Sequence, residues 1–230
     1  MTIFYILLAL SALIFLIRRH TANIYDVIIV SMTKKWYAAV IADLPAGARV
    51  LDIGVGTAGA LVANKDALVA KDLTFVGVDY DAAYIRKGLR VVDGADLASR
   101  VALRCASIYD YKAPHKFDHA YFSGSLMIMP DAAAALRAVA SMLAPGGKIY
   151  ITQTFQKRAI PFMGTVKPLL KYLTTIDFGQ LTYERDLAAL LDRVGFAVLR
   201  NEKIAGSVDT RWQAARIVVL QPGGGGAARK

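Results

Sequence analysis

Asp52, Gly54, Gly56 and Thr57 stand close together in the run VLDIGVGTAGAL, from Val50 to Leu61, and Asp79 closes the apolar part of a second run, TFVGVDYD, from Thr74 to Asp81. Acids and glycines in this order suit a nucleotide-type ligand. Val50, Leu51 and Ile53 have the character of a strand buried on both faces, and Gly54 and Gly56 remove the side chains that would hold a ligand off the backbone. Thr57 can cap the helix that the turn opens, whose free amides then face the bound molecule. A carboxylate at the end of a second parallel strand can accept both hydroxyls of a ribose, the role open to Asp79. Plainer roles fit as well: an ordinary strand-to-helix turn for the glycines, and for Asp79 a helix cap, which Asp81 could supply equally well.

The spacing bears on which nucleotide is bound. Gly54, Gly56 and Gly59 formally satisfy the dinucleotide pattern G-x-G-x-x-G. Asp52, two residues ahead of Gly54, opposes that reading. A negative charge is repelled by a pyrophosphate and attracted by the ammonium of an amino-acid cofactor. Ser123, Gly124 and Ser125 follow a fourth apolar run, at the carboxyl edge where ligands of open α/β sheets bind. A simple turn serine is the plainer reading of Ser123.

From Tyr25 to Leu220 the chain resembles the class I (Rossmann-like) S-adenosylmethionine-dependent methyltransferases. The resemblance rests on Asp52, Gly54 and Gly56, on GVDYD, on RVALRCASIYDY, on FDHAYFSGSLMIMPD as the fourth-strand motif, and on LAPGGKIYITQTF as the turn into a fifth strand. It implies a methyltransferase that binds S-adenosyl-L-methionine through Tyr25, Asp52, Gly54, Val55, Gly56, Thr57, Asp79, Tyr80, Ser107, Ile108 and Ser123, with no metal. The family's third loop glycine falls on Ala58, which Gly59 follows. The family often places an acid at the end of strand three for the adenine amine, where this chain has Ser107. Adenine recognition is therefore expected from Ser107 and the Ile108 backbone, with Asp110 a weaker substitute. Chemistry in this class asks mainly for in-line positioning, because the sulfonium is already a good leaving group, so no catalytic base is assigned. Ser123 is expected near the methionine moiety or the acceptor. His115 and His119 flank the start of the fourth strand and read as surface or packing residues. The Asn-Pro-Pro-aromatic signature of amide and nucleobase amino methyltransferases is absent, which favours an oxygen, carbon or non-nucleobase nitrogen acceptor.

These residues have to be positioned by alternating strands and helices, with strands predicted near 48–54, 74–79, 100–106, 117–123, 147–155, 197–204 and 214–220. Helices are predicted near 57–70, 81–92, 131–143 and 183–194. The expected fold class is α/β, a seven-stranded mostly parallel sheet with helices on both faces, preceded by one transmembrane helix. Pro145, Gly146 and Gly147 stop the helix before the fifth strand, and Gly195 stops the one before the sixth. Residues 1–20 are expected as an anchor, 21–47 as a helical segment over the cofactor site, 48–221 as the cofactor-binding domain and 222–230 as a disordered tail. In the 21–47 segment, Tyr25, Met32, Trp36 and Tyr37 recur at spacings that align much of the set on one helix face. Such a helix can equally be a cover for the sheet edge. The resemblance makes Tyr25 its cofactor contact. Residues 158–182, with FMGTVKPLLKYLTTIDFG, suit a lid that dips into a membrane interface or a packing insertion.

The 230 residues are 56% hydrophobic, more than one soluble domain needs. Part of the excess is Ile3 to Ile17, IFYILLALSALIFLI, uncharged and followed by Arg18, Arg19 and His20. With Met1 and Thr2 a helix here reaches roughly 25 Å, short of a ~30 Å hydrocarbon core by a gap that snorkelling and local thinning could close. No basic residue precedes the run, which favours an uncleaved anchor over a signal peptide. The positive-inside bias puts Arg18, Arg19, Lys34 and Lys35, and hence the domain, on the cytosolic or organelle-matrix side. The net charge of +10 is dispersed, which suits anionic lipid headgroups or a solvated face better than nucleic acid. Cys105, the one cysteine, excludes an internal disulfide, agrees with a reducing compartment and reads as a small buried residue in a core strand. The combined expectation is a membrane-anchored methyltransferase acting on a lipophilic small molecule: a quinone, isoprenoid, sterol or lipid headgroup. A protein methyltransferase, and a catalytically silent methyltransferase-like subunit of a membrane complex, are the alternatives.

Overall fold

A computed structural model describes residues 30–158 and 183–223. The apolar run Ile3 to Ile17, Tyr25, nearly all of the expected lid and most of the expected tail lie outside the described residues. Among the described residues, no helix is long and apolar enough to cross a membrane.

The strands are β1 (Arg49–Ile53), β2 (Thr74–Asp79), β3 (Val101–Cys105), β4 (Phe117–Ser123), β5 (Leu143–Gln156), β6 (Phe196–Lys203) and β7 (Gln213–Pro222). They form one seven-stranded sheet in the order β3-β2-β1-β4-β5-β7-β6. The first five strands pair in parallel, and β7 runs antiparallel between β5 and β6. Val50, Leu51 and Ile53 of β1, Ala120, Tyr121 and Phe122 of β4, and Ile149 and Ile151 of β5 are all buried. Burial on both faces is why these strands read as continuous apolar runs rather than alternating ones.

The faces are covered by separate sets of helices. Helices α1 (Ser31–Asp43), α2 (Gly59–Val62), α3 (Lys65–Ala70) and α4 (Ala82–Gly94) pack on one, where Trp36, Tyr37, Leu61, Leu68 and Ile85 meet Val50, Phe75 and Tyr121. Helices α5 (Ala132–Ser141) and α6 (Glu184–Val194) pack on the other, where Leu136, Val139, Leu187 and Leu191 meet Leu51, Ile53 and Ile149. The chain winds from β1 outward to β3, then returns to β4 and proceeds in the opposite direction. The reversal opens a crevice between the carboxyl ends of β1 and β4, where open α/β sheets bind ligands.

Several local expectations are corrected. The helix predicted over 57–70 is divided into α2 and α3, and Asn64 between them donates through Nδ2 to the carbonyls of Ala60 and Lys34. The residue preceding α2 is Ala58, not Thr57, and it makes no side-chain cap bond. Cys105 is exposed rather than buried, because β3 is the outer strand of the sheet. The Pro145–Gly147 turn does not precede β5. Leu143 already pairs with Phe117, and the ladder resumes at His119 and Lys148 with the turn looped out between them. Strand β7 continues through Pro222, into the stretch expected as tail. Gly195 ends α6 at φ 70°, as its position predicts.

Helix α4 lies unusually close to the sheet at Gly88. A Cβ there would fall 2.7 Å from Leu103 Cδ1 and 3.3 Å from the Thr57 carbonyl. Alanine is favoured over glycine in a helix by about 1 kcal/mol, while overpacking a core costs about 1–3 kcal/mol. Since the Thr57 backbone cannot swing aside as a side chain can, Gly88→Ala is expected to lower the unfolding midpoint; a raised midpoint in thermal denaturation would show spare room at this contact.

Candidate active site

Strand β1 ends in a tight turn held from two directions. Gly54 N and Val55 N both donate to Val78 O of β2, at 2.8 and 3.3 Å, and the Ser125 hydroxyl donates to Ile53 O. Gly54 has φ 71°, and a Cβ on it would stand 2.6 Å from Ser125 Cβ, so both conformation and space require glycine. Ala58, where the family's third glycine would fall, keeps the glycine-like conformation at φ 56°. An L-residue held there is strained by about 1–2 kcal/mol.

Asp79 pins this turn to β2. Its Oδ2 accepts from Gly56 N at 3.0 Å and its Oδ1 from Asp81 N at 2.9 Å. The cap of α4 is Asp81, whose Oδ1 accepts from Ala83 N and Tyr84 N, so the helix-cap reading of Asp79 is set aside. Burial raises the Asp79 carboxyl above its ordinary range, and the backbone donors of Asp81 and Gly56 pull against that rise. Each oxygen keeps capacity for further donors, such as sugar hydroxyls.

Asp52 is fully buried. Its Oδ2 accepts from the Tyr37 hydroxyl at 2.6 Å, and its Oδ1 has no partner among the described residues. Burial pushes its pKa up to about 7, with the Tyr37 bond acting against the rise and the Asp79 charge adding to it. Tyr37 stands edge-on to Tyr121 at 4.9 Å, and the Tyr121 hydroxyl shares a 2.8 Å hydrogen bond with Thr152 Oγ1. No sequence pattern announced Tyr37 as the partner of Asp52. Its place among the large, polar-tipped aromatic residues of the 21–47 segment was the available signal.

The structure gathers Gly54, Val55, Gly56, Thr57 and Ser123 around a single recess that Tyr37 also lines. No described atom lies within 4 Å of a Cβ built on Gly56, so a ligand can approach that backbone. The four buried side-chain oxygens without a partner among the described residues are Asp52 Oδ1, Ser123 Oγ, Gln153 Oε1 and Gln156 Oε1. All four lie toward the carboxyl ends of β1, β4 and β5. Buried polar groups are ordinarily paired, and these four keep capacity for water or ligand atoms.

Tyr80, Ser107 and Ile108 form a separate stretch beside Asp79, where Ala106 N donates to Asp79 O at 2.9 Å. The Tyr80 side chain is 80% exposed, a free aromatic face next to the acid. Ser107 Oγ accepts from Tyr109 N, and the Ile108 side chain is buried in the core on the α5/α6 face, leaving only its backbone for adenine. Asp110 is exposed, with its N–H bonded to Ser107 O. His119 is buried edge-on to Tyr150 and accepts from Lys148 N, a packing role. Among the described residues no group of three or more His, Cys, Asp or Glu side chains could hold a metal ion.

A larger cavity of about 660 Å³ opens between α5, α6 and the segment after β4, lined by Leu126, Met127, Met129, Leu187, Leu190 and Gln153 among others. One of its lining residues, Met129, also lies against the glycine turn, its Cε 3.9 Å from where a Cβ on Gly54 would be.

Residues 50–147 match the family model described as a methyltransferase domain. The O-methyltransferase rstn1 of Aspergillus nomiae is 28% identical over 154 residues, which cover 66% of each chain. A ubiquinone biosynthesis O-methyltransferase of Xanthomonas axonopodis pv. citri is 32% identical over 110 residues, 47% of this chain and 44% of that one. The chain thus spans about two thirds of the first relative and under half of the second. The crystal structure of an S-adenosylmethionine-dependent methyltransferase from Geobacter sulfurreducens, in complex with S-adenosyl-L-homocysteine, superposes with a TM-score of 0.60 at 17% identity, covering 82% of this chain and 90% of that chain. Fold and matched model together give the class: the chain has the class I methyltransferase fold, and its residues 50–147 match a methyltransferase domain. Its cofactor is S-adenosylmethionine.

The residues fit that cofactor. Gly56 leaves its backbone open, Asp79 can receive ribose hydroxyls, and Asp52 supplies a buried acid suited to an ammonium. Asp79→Ala is expected to weaken S-adenosylhomocysteine binding by about 1–3 kcal/mol through loss of charge-assisted bonds, as read by calorimetry; an unchanged affinity would show that Asp79 meets no ligand hydroxyl and that its hold on Gly56 is dispensable for binding. Asp52 yields a pH effect with a definite sign. Its folded pKa, about 7, exceeds the ordinary 3.8, so the stability it contributes is present at low pH and is lost as pH rises from about 4 to 7. An ammonium beside it favours the carboxylate and lowers that pKa, so binding near pH 7 should release protons. Calorimetry in buffers of different ionisation enthalpy should detect the release in the wild type and not in Asp52→Asn.

Proposed function

We propose that the chain transfers a methyl group from S-adenosylmethionine to a lipophilic small molecule of the quinone, isoprenoid, sterol or lipid type, with a quinone-related phenol the best fit. The observation that carries the reading is the methionine- and leucine-lined cavity touching the glycine turn through Met129. The ubiquinone-pathway name of one relative supports the same acceptor class. The uncharged run Ile3 to Ile17 with Arg18 and Arg19 behind it supports a membrane anchor, with the domain on the cytosolic or matrix side. Such an anchor would keep the domain beside a bilayer-dissolved acceptor.

When bound, the cofactor supplies a methyl group on a positively charged sulfur, and the protein's task is orientation. Gly54 and Gly56 admit the ligand to the backbone, Asp79 and Asp52 answer its hydroxyls and ammonium, and Ser123 lines the same recess as the glycines. Leu126, Met127 and Met129 exclude water from the acceptor side. His119 serves β4 as packing, so the proton lost by a hydroxyl acceptor goes to solvent or to the rim of the cavity, where Asp131 and Asp186 stand.

The test uses the full-length chain in detergent micelles with methyl-labelled cofactor and three acceptor sets: prenylated hydroquinones, water-soluble catechols, and total protein from the same cells. Label in the prenylated compounds supports the reading. Label confined to protein would replace it with a protein methyltransferase, and tight S-adenosylhomocysteine binding without label in any set would point to a silent subunit. In membranes, the full-length chain is expected to resist carbonate extraction, and a chain lacking Thr2 to Ile17 to be released.

A further inference from the structure

Strand β5 assigns its side chains alternately to the two faces of the sheet. Ile149, Ile151 and Phe155 belong to the core under α5 and α6, while Tyr150 belongs to the opposite core. Gln153 lies between Ile151 and Phe155 on the first of these faces, where the alternation calls for an aliphatic residue. It is 1% exposed, and its Oε1 has no hydrogen-bond partner among the described residues. It also lines the 660 Å³ cavity, whose Met129 lies against the glycine turn. A carboxamide oxygen buried without a partner is costly, and a binding site is one setting where that cost is recovered by a ligand.

The surroundings define what that ligand group can be. Leu126, Met127, Met129, Leu187 and Leu190 give the cavity an apolar body, which suits a ring or chain. Arg137 and Arg193 at its edge are matched by Asp131 and Asp186, so neither sign of charge prevails and a phosphate headgroup has no cationic cluster to receive it. The unmet atom is an acceptor, and so it calls for a donor. Resting on the acceptor-site reading above, we propose that Gln153 Oε1 receives the O–H of a hydroxyl on the methyl acceptor, making Gln153 the positioning residue that selects hydroxyl-bearing aromatic acceptors over their methyl ethers. A neutral carboxamide takes no proton from that hydroxyl at neutral pH; it fixes the ring's orientation in the cavity.

The test measures binding without turnover. The full chain in detergent micelles, saturated with S-adenosylhomocysteine, is titrated with 1-naphthol and with 1-methoxynaphthalene, which differ by the donor alone. Wild type is expected to prefer the naphthol by about tenfold, the worth of one buried hydrogen bond. Gln153→Leu should lose that preference by weakening naphthol binding alone, with methoxynaphthalene and S-adenosylhomocysteine affinities unchanged. Equal binding of the two probes by wild type overturns the proposal without any variant, and so does a preference that survives in Gln153→Leu. If Gln153→Leu fails to fold, Gln153→Met and the wild-type comparison carry the test. A naphthol preference that depends on Gln153, in a protein that methylates no lipophilic phenol, would sink the functional reading and leave this one standing. Methyl transfer whose acceptor KM is unmoved by Gln153→Leu would do the reverse.

Discussion

The hydrogen bond from Gly56 N to Asp79 Oδ2 ties the turn after β1 to the end of β2, and the cofactor half of the site is built on that tie. A glycine turn has little to hold it in shape by itself, since the residue that frees the backbone for a ligand also frees it to move. Val78 O receives two amides of the turn, Ser125 braces Ile53, and the carboxylate of Asp79 then fixes Gly56. The same carboxylate keeps lone pairs free for sugar hydroxyls, so one side chain can both shape the loop and receive a ligand. Loss of Asp79 would disturb both, which is why affinity has to be measured beside fold integrity in any variant there.

Asp52 illustrates a different use of burial. Out of solvent and bonded to a single hydroxyl, it is balanced between its two protonation states near neutral pH. Removing water strengthens the effect of any charge brought near it, so a cation close by has strong leverage on the proton. Tyr37, Tyr121 and Thr152 extend this polar thread across β1, β4 and β5. Helix α1 thus does more than cover the sheet edge, because it contributes the donor that keeps the buried acid partly satisfied.

The two halves of the site lie on opposite faces of one sheet edge, a polar recess under α1 and α2 and an apolar cavity between α5 and α6, joined at Gly54 and Met129. The two differ in chemistry: glycine backbone and hydroxyl groups line the recess, sulfur and branched carbon the cavity. The likeness to a solved structure at 17% identity is a likeness of the sheet on which both halves stand.

The sequence by itself determined the sheet and the acid-glycine-acid order along it. Apolar runs bounded by glycine and aspartate place β1, β2 and β4 within a residue of where they lie, because strands buried on both faces leave little else for those positions to be. It also determined that Gly54 and Gly56 open a turn, since only glycine takes the backbone conformation found there without strain. Strand order decided the rest. Cys105 looked like a core residue until β3 proved to be the outer strand, and the division between α2 and α3 depended on Asn64 reaching carbonyls of α1 and α2. Tyr37 meets Asp52, and Gln153 meets the cavity after β4, across distances in sequence that no local pattern records. Partnership between side chains far apart in the chain is fixed by which elements pack together, and that is a property of the tertiary structure alone.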